Sequence, residues 1–242
     1  ANMDEGWTRW IFDNWEFPYT TIHDEEIRNG DLKEKYDVIV LTNITSRRII
    51  DGHREGTVPS QYAGGIGEHG LVALLQFVKH GGTLITLNSS CQLPINHFKV
   101  PLKDVSRKYP TTEFFCPSAI LKVNVDNTHP IGYGMENTAN VVSYGSPFFE
   151  FLDADNINSN EKKDMVMSTR IVARYPNSNP FMSGRLIGNH LLHNKPALVE
   201  VRYGKGKIIM FGFRPQNRAQ PHGTFMMFFN SLYHGPASAS MN

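Results

Sequence analysis

The 242-residue sequence has little of the charge excess or the long apolar runs that mark several common classes of protein. Its 24 Lys and Arg residues are balanced by 23 Asp and Glu residues, and the formal net charge is +1. A nucleic-acid-binding protein usually needs a basic stripe that displaces counterions, so this balance argues against nucleic acid as a partner. No apolar run reaches the roughly 18 residues of a membrane span, so we expect no transmembrane segment.

Cysteine is also scarce, because Cys91 and Cys116 are the only two in the sequence. Two cysteines cannot form a disulfide scaffold or a cysteine-rich zinc site, and a single bridge between them stays open. The first residues lack the basic and apolar regions of a signal peptide, and the compartment stays open as well. The 40% hydrophobic content is typical of a globular protein, and a chain of this length buries about 70–75% of its unfolded surface.

Residues 36–90 carry the clearest secondary-structure pattern. The continuous apolar run at 38–41 is typical of a strand buried on both faces, and 83–87 repeats that pattern. Between them, apolar residues from Leu71 to Val78 recur at helical spacing. The pattern predicts a right-handed crossover between parallel strands. An alternating α/β domain would also place a strand before Glu5, and the sequence has none there, so we expect the first strand to be missing.

The rest of the chain predicts a single domain over residues 1–234, with a change of pattern after residue 90. Short alternating segments predict a β-rich insertion at about 115–200, and small polar residues predict a disordered tail at 235–242. The coarse prediction is an open α/β sheet. Its further elements are helices at 5–15, 24–29 and 221–233, a hairpin turn at 203–206 and an exposed loop at 153–164.

The run Asn88-Ser89-Ser90-Cys91 directly follows the second predicted strand. In open α/β sheets, ligands bind beyond the carboxyl ends of strands, where a sharp turn can expose a nucleophile. Ser89 or Cys91 would then need a histidine base within hydrogen-bond reach, and His222 is the candidate from a distant part of the chain. We favour the alternative, a polar turn that satisfies its own backbone.

A second polar run lies between the last predicted strand and the last helix. Arg214, Gln216, Arg218 and His222 could together hold a carboxylate or a phosphate. They could equally tether the loop to the sheet, and the sequence does not decide between the two.

Two further motifs have structural interpretations that we favour. Residues 65–70 match the glycine pattern of a dinucleotide-binding loop, but about twenty residues separate them from the preceding strand. They therefore predict a glycine turn that leads into a helix. His23 and Glu26 have the spacing of a zinc-ligand pair, yet consecutive acidic residues are more typical of the first turn of a solvated helix, and we predict no metal site.

Several segments together resemble the C-terminal domain of certain bacterial carboxypeptidase-A-like zinc peptidases, a domain similar to class I glutamine amidotransferases. The resemblance extends over about residues 2–234 and implies a flavodoxin-like, doubly wound sheet. The segments that carry it are Asn2–Trp10, Phe17–Tyr19, Gly64–Glu68, Pro130–Met135 and Phe211–Gln216.

This resemblance implies that the catalytic zinc and its ligands lie in a peptidase domain upstream, because no segment of the present sequence matches that domain. We therefore expect no cofactor in this chain, and the peptidase activity does not transfer to it. The parent protein would be a metallocarboxypeptidase-like hydrolase of the kind that is often exported to the periplasm or the outside of the cell.

The resemblance also implies a degenerate amidotransferase triad. Active relatives carry a cysteine on the elbow after a central strand and a Phe-His-Pro-Glu motif further along. Here the elbow is Asn88-Ser89-Ser90 with Cys91 displaced, and the later motif is Phe213-Arg214-Pro215-Gln216. Arginine cannot accept a proton as histidine does, and Gln216 cannot stabilise an imidazolium as a carboxylate would. The pair Gly64-Gly65 resembles the oxyanion-hole glycines of those relatives.

We therefore expect a non-catalytic accessory domain that packs on the peptidase domain, mediates homo-oligomerisation or presents a ligand pocket. The residues expected to line that pocket are Ser89, Ser90, Arg214, Gln216 and His222. Two alternatives stay open. One is a hydrolase or transferase that uses Cys91 or Ser89 with His222. The other is a carbohydrate- or cell-wall-peptide-binding module, whose sign would be an exposed aromatic platform beside the 214–222 loop.

Overall fold

The computed structural model describes residues 2–152 and 167–237 of the chain. One large sheet organises them, in the strand order β1-β2-β10-β9-β7-β4-β5, and β8 also pairs with β4. A second, two-stranded sheet joins β3 and β6. The strands are β1 (Val38–Leu41), β2 (Thr83–Leu87), β3 (Leu102–Asp104), β4 (Phe115–Val125), β5 (Thr138–Ser143), β6 (Phe149–Phe151), β7 (Met167–Arg174), β8 (Phe181–Ile187), β9 (Pro196–Tyr203) and β10 (Gly206–Phe211).

Helices cover both faces of this sheet. The helices of the described residues are α1 (Met3–Asn14), α2 (Asp24–Asn29), α3 (Leu32–Lys35), α4 (Ser46–Asp51), α5 (Gly67–Lys79), α6 (Gln92–His97) and α7 (His222–Ala237). None of them is long and apolar enough to cross a membrane.

Strands β1, β2 and β10 form the parallel part of the sheet. The residues of β2 and β10 are all buried, as their continuous apolar runs predict. Leu84 and Ile208 point into a core shared with α5, whereas their neighbours Ile85 and Ile209 point into a core shared with α1 and α7. This alternation confirms the predicted doubly wound, flavodoxin-type α/β sheet.

The antiparallel strands between residues 115 and 203 continue the same sheet beyond β10. The predicted hairpin joins β9 to β10, where Tyr203 lies opposite Gly206. Strands β3 and β8 have no counterpart among the predicted elements. Almost every residue of β8 is exposed, so burial leaves no alternating pattern in its sequence.

The prediction of a disordered tail from residue 235 is wrong for its first three residues, which continue α7. A side-chain carbon added at Gly235 would lie 2.6 Å from Val38 Cγ2, so the glycine permits a close approach of the helix to the sheet. Residues 238–242 and the predicted loop at 153–164 lie outside the described residues. Cys91 and Cys116 are buried, separate thiols.

Candidate functional site

The carboxyl ends of β1, β2 and β10 meet the first turn of α1 at one edge of the sheet. Asn43 follows β1, Asn88 follows β2, Arg214 follows β10, and Asp4 comes from α1. Hydrogen bonds connect all four side chains, so the structure brings together residues that are far apart in sequence. This edge is where ligands bind in open α/β sheets, and it is therefore the candidate functional site.

The elbow residue after β2 is Asn88, not one of the serines or the cysteine. It is fully buried and has a left-handed φ of 55°, which is uncommon for a residue other than glycine. Its Nδ2 donates to Asn43 Oδ1 at 2.7 Å, and its Oδ1 accepts from Ser146 Oγ at 2.6 Å. The backbone has the strained geometry that can expose a nucleophile, but the side chain is an amide fixed by its neighbours.

The two serines of the elbow complete the turn. Ser90 is fully buried; its Oγ accepts from the Leu87 backbone N–H at 2.8 Å and donates to the Leu41 carbonyl at 2.8 Å. The Ser89 backbone N–H donates to Asn43 Oδ1 at 3.2 Å, and its Oγ accepts from Asn88 Nδ2 at 3.3 Å. Within the described residues, no histidine side chain hydrogen-bonds to either serine. The favoured interpretation, a turn that satisfies its own backbone, fits these contacts.

Cys91 lies below the elbow, inside the core. Its thiol accepts from Thr86 Oγ1 at 3.3 Å and donates to the Phe211 carbonyl at 3.3 Å. Burial raises the pKa of this thiol to about 12, whereas an activated cysteine has a lowered pKa. His222 is exposed at the start of α7, where its ring stacks on Phe225 at 4.9 Å. These surroundings do not suit Cys91 to nucleophilic catalysis with His222 as its base.

Arg214 and Gln216 tie the loop after β10 to α1. Arg214 Nη1 donates to Asp4 Oδ2 at 3.2 Å, and its guanidinium group lies 4.8 Å from the ring centre of Tyr144. Gln216 is fully buried, and its Nε2 donates to Thr8 Oγ1 at 2.9 Å. Of the two interpretations that the sequence left open, these contacts favour the tether. Arg214 Nε is buried without a partner.

The remaining predicted site residues lie elsewhere. Arg218 is exposed in the short turn before α7. Gly64 has a φ of 79°, and a side-chain carbon at Gly65 would lie 2.5 Å from the Ile49 carbonyl oxygen. The glycine pair therefore has a packing role against the end of α4, which accounts for both residues without an oxyanion.

Sequence reasoning missed Asp4, Asn43, Tyr144 and Ser146. Asn43 could have been found, because it follows a predicted parallel strand and so lies at the carboxyl edge of the sheet. Asp4 accepts from Asn43 Nδ2 at 2.9 Å as well as from Arg214, and no local pattern marks it for this role. Tyr144 and Ser146 come from the turn after β5, whose position relative to the elbow depends on the whole sheet.

Three metal-ligating side chains converge at one place within the described parts of the chain: His129, Glu200 and His234. His234 Nε2 lies 2.7 Å from Glu200 Oε2, and Lys207 Nζ lies 3.2 Å from the same nitrogen. His129 Nδ1 accepts from the Ile131 backbone N–H, which places the proton of a neutral ring on Nε2, the atom that faces Glu200. Lys207 and this tautomer make the cluster a buried hydrogen-bonded ion pair and not a fitting metal site.

An exposed aromatic surface lies beside the 214–222 loop, formed by Trp10, Trp15, His222 and Tyr233. Trp10 is 45% exposed and Trp15 is 40% exposed. The rings of Trp15 and His222 are 6.0 Å apart, and those of Trp10 and Trp15 are 6.5 Å apart at an interplanar angle of 66°. The surface is thus continuous but not flat. Phe225 and Phe229 support it from the core side.

Comparison with known proteins gives likeness of fold alone. No family model matches the chain. No curated protein matches it either. Among solved structures, it resembles a cytoplasmic protein from Salmonella typhimurium with a TM-score of 0.48 and 15% identity over 89% of this chain and 76% of that one. It also resembles a ThuA-like protein from Bacteroides uniformis (TM-score 0.48, 13% identity, 96% and 85% covered) and a GMP synthase component from Thermoplasma acidophilum (0.47, 12%, 91% and 80%).

Proposed function

We propose that this chain is a non-catalytic accessory domain of a zinc carboxypeptidase-like protein and acts through contacts on its surface. The observation that carries the proposal is the elbow after β2, where the left-handed residue is Asn88 and its amide is held by Asn43 and Ser146. In the facing loop, Arg214 has no atom that accepts a proton and is bound to Asp4. This edge of the sheet therefore lacks a nucleophile and base in contact, which acyl transfer requires.

The experiment that tests this proposal compares the chain with two variants, Ser89→Ala and Cys91→Ala. Each protein is given p-nitrophenyl acetate and, separately, glutamine. We expect hydrolysis at the rate of buffer alone in all three. Turnover by the unsubstituted chain that disappears in either variant would support the rival function, a hydrolase or transferase that uses Ser89 or Cys91 with His222.

The aromatic surface is the part of the molecule best suited to contact a partner. Tryptophan and tyrosine are enriched at protein interfaces, and contiguous exposed apolar residues mark interaction sites. We infer that the surface around Trp10 and Trp15 packs on the peptidase domain of the same polypeptide, where the zinc of the parent protein would be bound. Homo-oligomerisation through the same surface is the other outcome to distinguish.

Fluorescence quenching distinguishes these contacts. In a variant with Trp7→Phe and Trp10→Phe, the emission reports on Trp15 alone. We expect acrylamide to quench Trp15 in the isolated domain and to quench it several-fold less in a longer polypeptide that includes the peptidase domain. Equal quenching in both would refute the docking, and concentration-dependent protection in the isolated domain would indicate homo-oligomers instead.

A carbohydrate- or cell-wall-peptide-binding module is the second candidate, because the exposed aromatic residues do lie beside the 214–222 loop. The angle between the Trp10 and Trp15 rings counts against a flat platform for successive sugars. Titration with chitooligosaccharides and with muramyl peptides tests this function. A change in tryptophan emission that saturates, and that Trp15→Ala abolishes, would favour it over the protein contact.

A further inference from the structure

The outer edge of β1 faces a cavity of about 640 Å³. In the sheet, β1 pairs only with β2. Because the Thr83 N–H donates to the Asp37 carbonyl, alternation along a parallel strand directs the polar groups of Ile39 towards β2 and those of Val38 and Val40 outwards. Within the described residues, no backbone hydrogen bond reaches Val38 or Val40 from the side of the cavity.

The opposite wall of the cavity is also unpaired backbone. Residues 17–22 form neither helix nor strand, and from Pro18 to Ile22 they make no backbone–backbone hydrogen bond within the described residues. Phe12 of α1 and Leu232 of α7 line the cavity between the two walls. It is therefore a slot with hydrogen-bonding groups along both sides and apolar side chains inside.

The dimensions of the slot match one short strand. A strand residue in a packed sheet occupies about 160 Å³, from a rise of about 3.3 Å, a strand spacing of about 4.8 Å and a layer distance of about 10 Å. The cavity then holds about four residues, which is the length of β1. Unpaired edges of this kind are sites of strand addition.

The position of Asn2 identifies the direction from which a strand would enter. Asn2 caps α1 by accepting from the Asp4 N–H at 3.0 Å, and its Nδ2 donates to Thr42 Oγ1 at 3.0 Å. Thr42 directly follows the carboxyl end of β1. A strand that leads straight into Asn2 would therefore end beside the end of β1 and run parallel to it, and α1 would then return across the sheet in a right-handed crossover.

We propose that the slot holds a four-residue strand of the polypeptide that leads into α1 at Asn2, parallel to β1 and apolar on both faces. This strand pairs with Val38 and Val40 on one side and with residues 18–22 on the other. The proposal is independent of the function proposed above, because it concerns the opposite side of α1 from the aromatic surface.

The test joins a leader of sequence Lys-Val-Val-Ile-Val-Thr directly to Asn2. A matched control carries proline at alternate leader positions, where the missing N–H prevents pairing. We expect amide hydrogen exchange at Val38 and Val40 to slow about tenfold or more in the monomeric leader protein and to stay unchanged in the control. The same leader added as a free peptide repeats the measurement on the chain without a fusion, in case the fused protein does not fold.

Two results would overturn the proposal. Unchanged exchange at Val38 and Val40 with both the fused and the free leader would mean that the slot does not accept a strand. Protection that appears only in a dimer, as measured by sedimentation velocity, would mean that the slot takes a strand from a second copy of the chain.

Discussion

The buried cluster of Glu200, His234, Lys207 and His129 gives a quantitative prediction about stability. Glu200 and His129 are each only 2% exposed, and Lys207 is 4% exposed. Glu200→Gln preserves the shape of the side chain and removes its charge, which leaves the Lys207 ammonium buried without its counter-ion. Removing one partner of a buried ion pair costs about 3–5 kcal/mol, so we expect the free energy of unfolding at pH 7 to fall by that amount.

Urea denaturation of the two proteins measures this loss, and Glu150→Gln supplies the matched control. Glu150 accepts from Lys195 and forms an ion pair with Lys103, but all three side chains are partly exposed. An ion pair in contact with water contributes about 0–1 kcal/mol, so the control should lose no more than that. Equal losses for Glu200→Gln and Glu150→Gln would refute the view that the cluster holds charge in a dry environment.

The same cluster fixes the sign of a pH dependence. Burial lowers the pKa of His129, and the charge of Glu200 offsets this only in part. The unfolded chain therefore binds a proton at His129 more readily than the folded protein does, and the free energy of unfolding falls as the pH drops below about 6.5. His129→Asn, whose side-chain oxygen can still accept from Ile131 N–H, should flatten the pH profile between about 7 and 5. A profile that keeps its slope in this variant would assign the effect to another group.

Two further predictions concern the candidate site. Cys91, whose pKa is raised to about 12, should resist Ellman's reagent at pH 8 in the folded protein and react fully in denaturant; rapid reaction of the folded protein at Cys91 would contradict its burial. Gly65→Ala should destabilise the protein by several kcal/mol in thermal unfolding, because its side-chain carbon would meet the Ile49 carbonyl at 2.5 Å, whereas Gly223→Ala meets no atom within 4 Å and serves as the control.

The parallel part of the sheet could be predicted from the sequence because its signals are local. The runs at 38–41 and 83–87 are apolar throughout since both faces of these strands are buried, and the α5 stripe between them has a plain helical period. Strand β8 could not be predicted, because it is exposed and held only by pairing with β4. Its place in the sheet depends on register and not on side-chain burial.

The candidate site was predictable in place but not in composition. The rule that ligands bind beyond the carboxyl ends of parallel strands led to the elbow after β2 and the loop after β10. It could not tell that Asn88, and not Ser89 or Cys91, takes the left-handed conformation, because that depends on where β2 ends to within one residue. Nor could it find Asp4, which reaches Arg214 only once α1 packs against the edge of the sheet.

The strained backbone at Asn88 is itself an argument about function. A left-handed residue that is not glycine costs about 1–3 kcal/mol, and such strain persists only where the surroundings impose it. In a working nucleophile elbow the strained side chain is left free to react, whereas the amide of Asn88 is bound by Asn43 and Ser146 on both of its polar atoms. The hydrogen bonds that offset the strain are the same ones that remove the side chain from chemistry. The elbow therefore serves as a rigid corner that fixes β1, β2 and the turn after β5 to one another, and chemistry with a partner has to be sought on the outer surfaces that this corner holds in place.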